Sequence, residues 1–201
     1  MSHSIHFFET QFRQQVADGV LHLNPFETLA LPYLRGRVLD YGCGLGNLAV
    51  AAAQAGCEVL ALDAAPTAIH HLNQRALQEG LAITAGEADL REHVVEGEFD
   101  AVVAIGLLMF FDCATAHRQL AQLQRCVKPG GVAIINVLVE GTTFMAMFDP
   151  AGHCLFGRDE LRERFAGWTI IEERHETFTA IGDRLKVFVT VVARKHDAVP
   201  A

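Results

Sequence analysis

No apolar run in this sequence reaches the ~18 residues that a bilayer-crossing helix needs. The opening Met1-Ser2-His3-Ser4-Ile5-His6 also lacks the basic-then-apolar order of a secretion signal. Both absences lead us to expect a cytoplasmic protein without a membrane partner. Cysteine is scarce and unpatterned: Cys43, Cys57, Cys113, Cys126 and Cys154 are odd in number, scattered, and free of any C-x-x-C pair. That argues against a zinc ribbon or a disulfide frame and predicts reduced thiols. Basic residues are short as well, 16 Lys and Arg against 24 Asp and Glu for a net charge of −8, with no basic run. Such a surface is poor at holding a phosphate backbone, so a small molecule is expected as substrate in place of nucleic acid. Of the ten histidines only His70 and His71 adjoin. Neighbours on a helix point in different directions, and no carboxylate or cysteine completes a ligand set, so a solvated helix face is expected and no metal site.

A chain of 201 residues is long enough for one filled core and short for two. We expect a single domain over 1–201, with an N-terminal helical lid at 1–36, a cofactor-binding core at 37–139, and an acceptor-side segment with a closing hairpin at 140–195. Short β-branched runs at 37–41, 58–63, near Ile83, at 99–105 and at 132–139 alternate with helix-length segments at 46–55 and 66–79 and after Asp112. Pro66 suits a first helical turn, Asp112 an N-cap, and Lys128-Pro129-Gly130-Gly131 a stop. The acidic stretch from Glu92 to Glu98 reads as a solvated loop. The alternation predicts an α/β fold, a doubly wound and mostly parallel sheet with crossover helices. After a short helix near Asp159, strands at 168–178 and 185–193 flank Gly182-Asp183, the pattern of an antiparallel hairpin.

The chemistry concentrates where the first strand ends. Asp40-Tyr41-Gly42-Cys43-Gly44-Leu45-Gly46 runs from strand into helix, and its glycines let the backbone approach a ligand. A dinucleotide turn of the form G-x-G-x-x-G begun at Gly42 needs glycine at position 47, where Asn47 stands. A cofactor without phosphates suits this spacing better. S-adenosylmethionine carries an ammonium for Asp40 to face and a carboxylate for the turn's N–H groups. Asp63, ending the second strand, can accept the ribose hydroxyls, and Asp89, after the third, the adenine amino group. An NAD(P)-dependent oxidoreductase is the rival reading, because nicotinamide dinucleotides use an acid at the second strand too.

The runs Val38-Leu39-Asp40-Tyr41-Gly42-Cys43-Gly44-Leu45-Gly46 and Leu123-Gln124-Arg125-Cys126-Val127-Lys128-Pro129-Gly130-Gly131 resemble the first and last signature segments of class I S-adenosylmethionine-dependent methyltransferases. More narrowly, Leu107-Leu108-Met109-Phe110-Phe111, Glu160-Leu161-Arg162 with Gly167-Trp168, and Val192-Ala193-Arg194-Lys195 resemble the tellurite-resistance methyltransferases, the TehB group. That resemblance implies a seven-stranded, Rossmann-like sheet with its last strand antiparallel. It implies a cofactor site of Asp40, Gly42, Cys43, Gly44, Asp63, Ala64, Ala88, Asp89, Leu90 and Ile105, and methylation of a chalcogen oxyanion or thiol with S-adenosylhomocysteine as product. It also implies a catalytic histidine and arginine, matched here by His175 and Arg184, while Glu176 stands where the group has a second arginine. An anion in place of a cation carries the reaction over better than the oxyanion substrate, and keeps open a regulatory protein that binds the cofactor without catalysis.

His175 reads as a general base, an anion ligand, or a histidine on the solvent side of an edge strand. Arg184, beside a turn, reads as a substrate ligand or a structural ion pair. Phe7, Phe8 and Phe12, with Phe144, Met145, Met147 and Phe148, are candidates to close an acceptor pocket or simply to pack a core. No Asn/Asp-Pro-Pro-Tyr follows the fourth strand, where Ile105-Gly106-Leu107-Leu108 stands, which counts against nucleobase amines.

Overall fold

A computed structural model describes residues 3–19, 21–150 and 152–197 of the expected 1–201 domain. Two helices lead, α1 (His3–Asp18) and α2 (Pro25–Ala30), the second followed by a 3-10 turn at Leu31–Tyr33. Then come β1 (Arg37–Tyr41), α3 (Asn47–Gln54), β2 (Glu58–Asp63), α4 (Pro66–Glu79), β3 (Ile83–Glu87), β4 (Phe99–Ile105), α5 (Cys113–Cys126) and β5 (Val127–Leu138). The chain closes with α6 (Glu160–Glu163), β6 (Thr169–Ala180) and β7 (Arg184–Arg194).

The strands form one sheet in the order β3-β2-β1-β4-β5-β7-β6, parallel except for β7, which runs against both β5 and β6. This is the doubly wound sheet with a reversed last strand that the sequence predicts. Local chemistry explains the joints. Pro66 opens α4 and Gly80 ends it in the left-handed conformation, the Pro-first, Gly-last asymmetry of helices. Asp112 caps α5 by accepting from the Thr115 amide at 2.9 Å. The stop expected at Lys128-Pro129-Gly130-Gly131 is a bulge inside β5, not its boundary. Phe99 pairs with Val127 and Ala101 with Val132, so the extra residues are looped out. A Cβ on Gly131 would lie 2.9 Å from the carbonyl oxygens of Asp100 and Lys128, so only glycine fits there. Lys128 fixes the bulge by donating to both Asp100 carboxylate oxygens at 3.0 Å.

Two apolar layers sandwich the sheet. One packs α3 and α4 against Val38, Val59, Val103 and Ile134; the other packs α5 and α6 against Leu39, Val102, Ile135 and Val191. Because successive strand residues alternate faces, Asp40 and Asn136 fall on the α3 side with Val38 and Ile134.

The cysteine expectation needs correction. Cys113 and Cys154 form a disulfide across 41 residues, while Cys43, Cys57 and Cys126 are free and buried. The stretch after β5 folds back over the start of α5, with the Cys154 amide donating to the Met109 carbonyl at 3.0 Å. Sequence spacing holds no trace of a tertiary approach of this kind. Among the described residues no helix is long and apolar enough to cross a membrane.

Candidate functional site

The carboxyl ends of β1 and β4 meet where the sheet's winding reverses, the place where open α/β sheets bind ligands. A cleft of about 830 Å³ opens there, within the range of about 300–1,000 Å³ for small-molecule sites. Asp40, Gly42, Cys43, Gly44, Asp63, Ala64, Asp89, Leu90 and Ile105 all line it. Ala88 does not; its amide donates to the Asp63 carbonyl at 2.9 Å and so holds the ends of β2 and β3 together beside the cleft.

Asp40 is the electrostatic centre. It is 5% exposed, and its Oδ2 is buried without a hydrogen-bond partner. Burial, with Glu27 and Asp63 nearby, pushes its carboxyl up to about 8. Glu27 belongs to α2, where it completes a capping box with Asn24 (Asn24 N to Glu27 Oε2, 2.7 Å). Burial raises its carboxyl too. An unpaired buried acid flanked by two more is a strong site for a cation and a poor one for a pyrophosphate.

Four of the turn's amides are spent within the protein. Gly42 and Cys43 donate to the Leu62 carbonyl (2.8 and 3.1 Å), Gly46 to the Cys43 carbonyl (2.9 Å), and Gly44 to Asp63 Oδ2 (2.9 Å). The expected N–H cradle for a carboxylate is therefore not formed by these four groups. Asp63 is oriented by Gly44 and by the Ala65 amide on Oδ1 (2.9 Å), while burial keeps its carboxyl above the usual value. Each oxygen keeps a lone pair for a ribose hydroxyl. Asp89 is held below its usual range by hydrogen bonds from Arg91, at 2.9 Å to Oδ1 and 2.5 Å to Oδ2. Burial raises the Cys43 thiol well above its ordinary value, which leaves it inert as a nucleophile.

The helix α1 covers the cleft. Phe7, Phe8 and Phe12 line it, as do Met109, Phe144 and Met147, whereas Met145 and Phe148 pack behind with Leu138. Gly44 has φ +52, and a Cβ there would meet the Phe12 ring at 3.1 Å, so the glycine lets α1 approach the turn. An edge contact joins Phe8 to Phe110 (5.0 Å between centroids), and a tilted one joins Phe110 to Phe148 (5.1 Å).

His175 and Arg184 do not line the cleft. His175 is exposed on β6, the outermost strand, with Nε2 3.0 Å from Glu173 Oε1, and Arg184 is exposed at the hairpin turn. The hairpin places β7 between β6 and the cleft, and alternation along β7 brings Lys186 and Phe188 to the cleft instead. Glu27, Asn136, Lys186 and Phe188 were missed by sequence reasoning. A signal existed for two of them: Asn24-Pro25-Phe26-Glu27 has capping-box spacing, and Asn136 is a polar interruption in an otherwise apolar strand.

Residues 38–131 match the family profile described as a methyltransferase domain. The chain is 32% identical over 155 residues to the cypemycin N-terminal methyltransferase of a Streptomyces species, covering 75% of this chain and 57% of that one. Its fold is similar to TehB from Haemophilus influenzae (TM-score 0.74, 21% identity, 86% of this chain and 62% of that chain). It is also similar to the magnesium protoporphyrin IX methyltransferase of Synechocystis PCC 6803 solved with bound S-adenosylhomocysteine (TM-score 0.63, 19% identity, 96% and 83%). The chain spans about half the length of the curated relatives it matches. Profile, sheet order and the acid-centred cleft agree: residues 38–131 match a methyltransferase domain, and the chain resembles the S-adenosylmethionine-dependent methyltransferases, TehB among them, in fold.

Proposed function

We propose that the chain, working as one domain, transfers a methyl group from S-adenosylmethionine to a small molecule through a soft nucleophile, a thiolate or reduced chalcogen. When bound, the cofactor supplies an electrophilic sulfonium methyl. Asp40, with Glu27, would hold its ammonium, Asp63 its ribose, and Asp89 and Leu90 its adenine. The lid residues Phe8 and Phe12 would exclude water, and the cleft walls would align the acceptor.

The observation that carries the acceptor class is what lines the cleft beyond Ile105. Met109, Phe110, Phe144, Met147 and Phe188 give it an apolar wall. The histidine lining the cleft, His22, is exposed on the segment before α2, its carbonyl accepting from Asn47 at 3.3 Å. Asp112 is spent capping α5, and the Thr115 amide holds its carboxyl below the usual range. A thiolate needs no base near neutral pH. An amine, the acceptor implied for the cypemycin relative by its name, needs a proton removed. The test is product analysis by mass spectrometry with a matched aryl thiol and phenol. The reading expects methylation of the thiol at least tenfold faster; equal rates would refute it. A small-molecule rather than nucleic-acid acceptor belongs to the same proposal, supported by the net charge of −8, and so does a cytoplasmic location. The Cys113–Cys154 pair, bonded in the structure, would stand open under cytosolic reductants, so a bridge recovered intact from rapidly alkylated cells would contradict that location.

A further inference from the structure

Two polar groups in the cleft lack a complementary partner within the protein. Asn136, 0% exposed on β5, donates from Nδ2 to Thr190 Oγ1 at 2.8 Å, while its Oδ1 is buried with no partner. Lys186 on β7 is half-buried with Nζ 4.6 Å from the centre of the Phe144 ring. Among the described residues no carboxylate pairs with it. An ammonium set over an aromatic ring gains from its face, yet keeps a demand for an anion that the protein leaves unmet.

The sheet sets the distance between these groups. Asn136 pairs with Thr190 and Leu138 with Phe188 in the β5–β7 register. Residues 186, 188 and 190 share one face of β7. Four residues of strand put the Lys186 backbone about 13 Å from that of Thr190, and so from Asn136. Phe188 lies between them, with Phe26 packed on it at 4.7 Å between ring centroids. Asn136 is also in register with Ile105 at the mouth of the cofactor end. The result is a polar atom near the cofactor, an apolar floor, and a cation at the far end.

We infer that this strip is the acceptor subsite and that the acceptor is an elongated anion: a reacting end that donates a hydrogen bond to Asn136 Oδ1, as a thiol does before it ionises, an aryl or alkyl body on Phe188, and a carboxylate or similar group on Lys186. The inference rests on the methyl-transfer reading for the identity of the strip's ligand, and Lys186 acts as a specificity residue with no part in the chemical step.

Calorimetry with 4-phenylbutyrate and its uncharged amide, on protein with and without S-adenosylhomocysteine, tests it without needing turnover. A charge-assisted contact predicts that the acid binds roughly tenfold or more tighter than the amide. Lys186→Met should abolish that difference and Lys186→Arg should keep it, both with unchanged affinity for S-adenosylhomocysteine as the check on folding. Benzoate, too short to span Phe188, should bind more weakly than the phenylbutyrate. Equal affinity for acid and amide, or a preference that survives Lys186→Met, overturns the inference. The S-adenosylhomocysteine titration reports on the donor site separately, so its failure would sink the methyl-transfer reading while the acid-to-amide ratio still decides the role of Lys186.

Discussion

Replacing Asp40 by Asn should stabilise the ligand-free protein and cripple cofactor binding, two effects of opposite sign from one buried group. The carboxyl is raised to about 8 from its ordinary 3.8, first by burial and then by Glu27 and Asp63. At pH 7 the folded protein must therefore hold a proton that the unfolded chain has released, which costs roughly 4 kcal/mol relative to acid conditions. The sign follows from the direction of the shift. Stability from this carboxyl is complete below about 4 and is lost as pH rises toward 8. Asn needs no proton, so its advantage over the parent should widen by about 1.4 kcal/mol per pH unit across the middle of that window. Urea unfolding of both proteins at pH 5 and pH 7 measures it, with a predicted widening of roughly 2.5 kcal/mol. For the cofactor, removing the anion that faces a buried ammonium should cost about 2–5 kcal/mol, at least ~30-fold in Kd. An Asn variant that is less stable than the parent at pH 7, by an amount that does not change with pH, would refute the reasoning.

Three further outcomes follow from particular contacts. Opening the Cys113–Cys154 bridge by Cys113→Ser closes off the constraint on a 41-residue separation and should cost about 2–4 kcal/mol, read as a fall in Tm; no change would mean the bridge is absent in solution. Gly44→Ala adds a Cβ at φ +52 against Phe12, a strain of about 1–3 kcal/mol. It should loosen α1, seen as faster amide exchange across the helix and weaker binding of S-adenosylhomocysteine; unchanged exchange would show that α1 does not rest on the turn. His175→Ala should leave kcat/KM within about twofold, since the ring meets Glu173 on an exposed edge strand; a large loss would bring β6 back into the reaction.

Much of the fold was legible because its signals are local. The Asp40 to Gly46 turn, Pro66 at the start of α4, the Asp112 cap and the Gly182-Asp183 hairpin each declare themselves within a few residues. The parallel core follows from alternation, and the acids at the ends of successive strands follow from the core. What stayed hidden depends on tertiary approach. Glu27 comes near Asp40 because α2 folds against β4, the neighbour of β1, Cys154 reaches Cys113 because the stretch after β5 returns over α5, and Lys186 faces the cleft because β7 slots between β5 and β6. His175 and Arg184 show the same limit from the other side: a hairpin read correctly as a hairpin still leaves open which strand lies next to the site. The amides of the turn are the subtler case, since the glycine pattern is local but the bonds from Gly42 and Cys43 to Leu62 depend on β2.

The most direct test of the acid-centred cleft is calorimetry with S-adenosylhomocysteine at pH 7, repeated in buffers of different ionisation enthalpy. An Asp40 carboxyl near 8 that ionises against the cofactor's ammonium predicts micromolar binding with release of about 0.9 proton, and an affinity that rises about 30-fold from pH 5.5 to pH 7. No binding of S-adenosylhomocysteine, or binding without proton release and with flat pH dependence, would contradict the account.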